Sequence, residues 1–167
     1  MSGRERVASG QMRGLLSVIL VVAAVAGLAA CGGDKAAEER NAYADQVNRA
    51  QSNFAQSFKS LSKRITRTTT PGRGRKTLQG FEDAVDNVVT DLRHIDAPSD
   101  LQPLHRRLIS EIAGYGQAIH RAKLAFATGS PQRILRAQSA LVSSTTEISS
   151  RINRTIAAIN QRLQAKT

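Results

Sequence analysis

Few residues in this chain have types and spacings that could do chemistry. There is one thiol, Cys31, and three imidazoles, His94, His105 and His120. A metal site needs converging His, Cys or carboxylate groups. On a shared helix His105 and His120 stand about 22 Å apart, at about 1.5 Å per residue. Asp91 and His94 lie three residues apart and could meet, but the paired Glu and Glu-x-x-His sets of a di-iron bundle are missing. Each histidine is expected at a surface or hydrogen-bonded helix position. Gly72-Arg73-Gly74-Arg75-Lys76-Thr77 lacks the glycine spacing of a phosphate-binding loop, and Gly114-Tyr115-Gly116 lies inside a helical pattern. The glycines at 114 and 116 suit close packing or locally weaken their helix. Asn153-Arg154-Thr155 reads as a chance glycosylation match. No nucleophile, base or metal set converges, so no catalytic residue, metal or cofactor is expected.

Cys31 has more specific surroundings. Arg4, Arg6 and Arg13 precede an apolar or small-residue run from Gly14 to Ala30, the layout of a secretory signal. The run falls short of the about 20 apolar residues a spanning helix needs. The tetrapeptide Leu28-Ala29-Ala30-Cys31 resembles the lipobox of bacterial lipoproteins, in which the thiol is alkylated with diacylglycerol and the preceding peptide bond is cut. The resemblance implies a signal peptide over 1–30, lipidation of Cys31 and a location on the extracytoplasmic face of the cell membrane. Acyl burial contributes about 0.8 kcal/mol per CH₂, and two chains hold firmly where one is marginal. Cys31 is the only cysteine, so no intrachain disulfide supports the exported domain.

Charge is the other feature. Taking away the three arginines and one glutamate before Cys31 from 24 basic and 13 acidic residues leaves 21 against 12, an excess of nine. Lys59 to Lys76 holds seven basic residues and no acid, while Glu82, Asp83, Asp86, Asp91 and Asp96 face only Arg93 in the next segment. In the last segment Arg133, Arg136, Arg151, Arg154 and Arg162 stand against Glu147. At about 100° per residue these five arginines fall within about 80° of one another, away from the apolar stripe. They are the candidate anion-binding residues; the plain alternative is a solvated face.

Helices must position them. Gly32 to Arg40 reads as a tether, so residues 31–40 link the anchor to a domain over 41–167. Tyr43, Val47, Ala50, Phe54, Phe58, Leu61 and Ile65 recur at helical spacing until Thr68 to Gly74, read as a loop. A second helix runs from about Lys76 to Ile95, burying Leu78, Phe81, Val85, Val88, Leu92 and Ile95. Ser99 with Gln102 looks like a capping box opening the third, whose stripe runs from Leu101 to Phe126. Thr128-Gly129-Ser130-Pro131 supplies a terminal glycine, an N-cap serine and a first-turn proline. The fourth runs from Pro131 to about Leu163, with Ser143 to Thr146 as a place for a bend.

Four such segments predict an all-α, antiparallel up-down four-helix bundle. The second helix is the shortest, leaving at one end either a groove or a site covered by the loop after Ile65. Helix two's acids should neutralise helices one and three and leave the arginines free.

As a whole the chain resembles small helical lipoproteins of actinobacteria, which share no activity or catalytic residues to carry over. The expected function is a non-catalytic envelope module whose basic surface meets anionic lipid, a wall polymer or an acidic protein. The alternative is a small-ligand carrier or sensor using the bundle core. Nucleic acid is disfavoured, because export removes it from reach and no aromatics interleave the basic residues.

Overall fold

The computed structural model describes residues 35–62 and 71–165, without the side chains of Phe58, Leu61, Ser62 and Pro71. Residues 1–30, read above as a signal peptide, together with Cys31, Ile65 and the basic residues Lys63, Arg64 and Arg67, lie outside the described residues. The described residues form four helices: α1 (Lys35–Ser62), α2 (Pro71–Arg93), α3 (Gln102–Ala127) and α4 (Pro131–Gln164). Among the described residues there is no strand; α1 packs on α2, α2 on α3 and α3 on α4.

The apolar spacing read from the sequence is what each helix buries. One cluster joins Tyr43 and Val47 of α1, Val85 and Leu92 of α2, Leu108 and Ile112 of α3, and Ile152 and Ile159 of α4. Each such side chain stabilises the fold by about 1.5–3 kcal/mol when fully buried. Burial is uneven along α4. Ile148, Ile152, Ile156, Ile159 and Leu163 are buried, whereas Leu135 and Val142 nearer its start are exposed at 64% and 42%.

Polar links tie the buried end together. The Arg40 guanidinium, itself buried, donates to Asp100 Oδ2 at 2.6 Å and to the main-chain oxygen of Arg162 at 3.1 Å. His105 Nε2 lies 2.9 Å from the Leu92 carbonyl, which can only accept, so Nε2 carries the proton and donates. Nδ1 of the neutral ring then accepts from the Tyr43 hydroxyl at 3.2 Å. The imidazole thus gives the Leu92 carbonyl, in the last turn of α2, a second donor beside the Ile95 amide at 3.1 Å.

Several helix ends differ from the sequence reading. Lys35 to Arg40 of the expected tether is helical, because Arg40 is fastened at both Asp100 and Arg162. Pro71 to Gly74, expected in a loop, begins α2. Proline fixes a helical φ and has no donor to lose in a first turn. The Ser99–Gln102 capping box does not form. Leu101, fully buried, occupies the N-cap of α3 without a side-chain cap, and a turn brings its amide and that of Gln102 to the Pro98 carbonyl at 2.8 and 3.0 Å. Burying Leu101 outweighs the serine cap, worth about 1 kcal/mol.

The boundary between α3 and α4 follows expectation in position. Gly129 takes φ +66 and Pro131 opens α4, although the Ser130 side chain makes no cap bond; the Thr128 hydroxyl donates to the Ala125 carbonyl at 2.7 Å instead. α4 continues through the hydroxyl-rich stretch, where Thr146 and Ser149 bond back to the carbonyls of Val142 and Thr145.

The glycines divide into two kinds. A methyl on Gly114 would meet Ile148 at 3.7 Å and one on Gly116 would meet Val85 at 3.5 Å, ordinary contacts that require no glycine. One on Gly74 would stand 2.7 Å from the Phe126 ring. Gly114→Ala is therefore expected to raise unfolding free energy by about 0.5–1 kcal/mol through helix propensity. Gly74→Ala should lower it by about 1 kcal/mol, the overpacking exceeding the propensity gain. Urea midpoints at unchanged m-value read both; a rise in both variants would mean that Phe126 does not constrain position 74.

Candidate functional site: the arginine face of α3 and α4

All five arginines singled out by sequence lie on α4, and their partners separate them. Arg133, Arg136, Arg154 and Arg162 are exposed, and among the described residues no carboxylate lies within ion-pair distance of them. Arg151 is half-buried and pairs with Glu147 at 3.0 Å, an i,i+4 contact between accessible groups that contributes little. Arg154 donates to Ser150 Oγ at 2.7 Å. The strip spans about 44 Å from Arg133 to Arg162, with a step of about 22 Å between Arg136 and Arg151.

α3 adds two arginines that sequence reading passed over. Gly114 faces Ile148 of α4, and Arg107 and Arg121 stand seven residues either side of it, on the same stripe of α3. Glu111 fixes the local arrangement: it accepts from Arg107 Nε at 3.0 Å and from Thr155 Oγ1 of α4 at 2.8 Å. Arg107 is therefore linked through Glu111 to Thr155 at the α3–α4 seam, and Thr155 stands one turn of α4 from Arg151. The missed signal is the seven-residue recurrence through Gly114, legible only once the packing partner of that glycine is known.

One acid of α2 is used on the other side of α3. Glu82 bonds Lys123 and, at 2.7 Å, His120, both of α3; Gln79 Oε1 accepts from Lys123 at 2.6 Å. Burial pushes the Glu82 carboxyl up, but the bonds from Lys123 and His120 outweigh it and hold it below its ordinary value. The expected neutralisation is thus seen only for Glu82, on α3; Asp83 bonds Gln79 of its own helix, and among the described residues Asp86 and Asp91 make no ion pair. For α1, the buried Arg40 takes Asp100, between α2 and α3.

The histidines do not converge. His94 is exposed and bonds the Thr90 carbonyl of its own turn at 2.8 Å rather than Asp91, His120 takes Glu82, and His105 is buried. Among the described residues no three His, Cys, Asp or Glu side chains stand close enough to share a metal ion. Burial raises the Tyr43 phenol to about 12 and lowers His105, the latter partly offset by the bond to Leu92. Tyr115 is also raised by burial, opposed by its bond to Ser149. A depression of about 260 Å³ is lined by Asp45, Asn48, Arg49 and Ser52, on the outward face of α1 rather than in the core.

What the arginine face can do is hold anions. Guanidinium is always charged and presents a planar set of donors that matches phosphate and carboxylate oxygens two at a time. Compared with protein-family models, curated proteins and solved structures, the chain matches none of them.

The buried imidazole gives a test in pH. Folded His105 takes a second proton less readily than in the unfolded chain, so stability is complete above its ordinary 6.5 and declines as pH falls below it. Glu82, lowered from 4.5, loses its contribution only further down. Unfolding free energy is expected to fall between pH 7 and 5. His105→Gln should flatten this slope while lowering stability at pH 7 by about 1–2 kcal/mol. An unchanged slope in that variant would place the titrating group elsewhere.

Proposed function

We propose that the chain is a membrane-anchored extracytoplasmic lipoprotein, with a signal peptide over 1–30, lipid on Cys31 and a non-catalytic binding domain. In this reading the domain is an up-down antiparallel four-helix bundle. That arrangement is supported by Arg40 near the start of α1 reaching both Asp100, between α2 and α3, and the carbonyl of Arg162, at the end of α4. The basic surface contacts anionic envelope material. The observation that carries this is the set of exposed arginines on α4 that lack a carboxylate partner among the described residues.

The anchor reading rests on the lipobox and on the short apolar run before it. Among the described residues no helix is long and apolar enough to cross a membrane; in this reading the attachment is the lipid on Cys31. The carrier reading has less support, because the depression lies outside the core.

Two measurements test it. Full-length chain expressed in a lipoprotein-processing bacterium is expected to incorporate labelled palmitate, and Cys31→Ser to abolish the label; a persisting label would overturn the anchor assignment. The domain from Gly32 to Thr167 is expected to cosediment with anionic vesicles or wall polymer. The combined Arg133→Gln, Arg136→Gln, Arg154→Gln and Arg162→Gln variant should lose about 3–4 kcal/mol of that binding, at about 1 kcal/mol per basic residue. Equal binding by both proteins would make the face a solvated one.

A further inference from the structure

We propose that the anchored protein lies down, with the arginine face of α3 and α4 against the anionic head groups of the membrane that holds Cys31. This deepens the preceding reading and rests on it, choosing lipid over polymer or protein as the partner.

The length of chain between the anchor and the fold carries the inference. Three residues separate Cys31 from Lys35, where α1 begins. Four extended steps and five helical ones put the Arg40 Cα within about 22 Å of the Cys31 Cα. Arg40 holds the carbonyl of Arg162, so the Arg162 end of the strip is kept near the membrane surface. Arg133 stands about 44 Å further along α4. In an upright bundle Arg133 and Arg136 would be several screening lengths above the surface, where at physiological salt the field decays over about 8 Å. In a recumbent one all the arginines enter the same field.

Charge complementarity favours the second arrangement. The face presents Arg107, Arg121 and the α4 arginines, and its acids Glu111 and Glu147 are already engaged by Arg107 with Thr155 and by Arg151. Glu82 of α2 pairs toward the other side of α3, through Lys123 and His120. Each arginine brought to an anionic surface multiplies the preference roughly fivefold, so Arg133 and Arg136, which only the recumbent state brings into the field, favour it by roughly twenty-five-fold. A linear polymer would exert no such orienting constraint, since it need not share the plane of the anchor.

The test uses the full lipidated chain carrying Gln132→Cys, labelled with a fluorophore at the end of α4 remote from the anchor, in vesicles whose head groups bear an acceptor. When a third of the lipids are phosphatidylglycerol, energy transfer is expected to rise about twofold over phosphatidylcholine alone and to return to that level at high salt. The four-arginine-to-glutamine variant, with an unchanged circular-dichroism spectrum, should show no rise. Equal transfer on both membranes with the protein still bound would overturn the recumbent state and leave the anchor intact. Failure to bind either membrane would overturn both. A rise retained in the variant would remove the arginines as its cause, and transfer that changes only when a soluble polyphosphate is added would assign the face to a polymer instead.

Discussion

A proton on His105 Nε2 donates to the carbonyl of Leu92, and that choice of tautomer leaves Nδ1 to accept from Tyr43. Three helices are set by one ring, since Tyr43 belongs to α1, His105 to α3 and Leu92 to α2. The ring fits only while neutral, so apolar burial around it and its hydrogen bonds require each other: moving any of the three helices exposes an unsatisfied donor or acceptor. Arg40 extends the same joint to the end of α4. Where these links lie, the core is closed; beyond them, toward the start of α4, apolar side chains become exposed.

The charge layout follows from this packing. α2 meets α3 through Glu82, Lys123 and His120, while α4 packs on α3 through Ile148, Thr155 and Ser149 and turns its arginines outward. Part of the excess of nine positive charges in the chain after Cys31 is thereby aligned along one helix. Concentration on one straight face is what allows a weak contribution per residue to accumulate against an extended anionic surface.

The four helices and nearly all of their buried faces were legible in the sequence, because apolar residues at helical spacing have no other economical way to leave water. The ends were less so. Local signals competed with distant partners there: Ser99 and Gln102 spelled a capping box, but burying Leu101 set the start of α3; Pro71 and the following glycines spelled a loop, but a first-turn proline is also a helix start. The α4 arginines could be placed on one face from their spacing alone, whereas Arg107 and Arg121 joined them only through the contact of Gly114 with Ile148. His105 read as an ordinary position because nothing in its neighbours along the chain shows that Tyr43, 62 residues away, would meet it.

The uneven burial of α4 has a consequence for time rather than for shape. A continuous helix of 34 residues, fixed by isoleucines in its second half and with exposed leucine and valine in its first, has a gradient of local opening free energy along one element. Amide hydrogens before Ile148 are therefore expected to exchange sooner than those after it. Arg133 and Arg136 sit on the half with less apolar burial, so any contact made there would also restrain that half, and its free energy would include that of closing it.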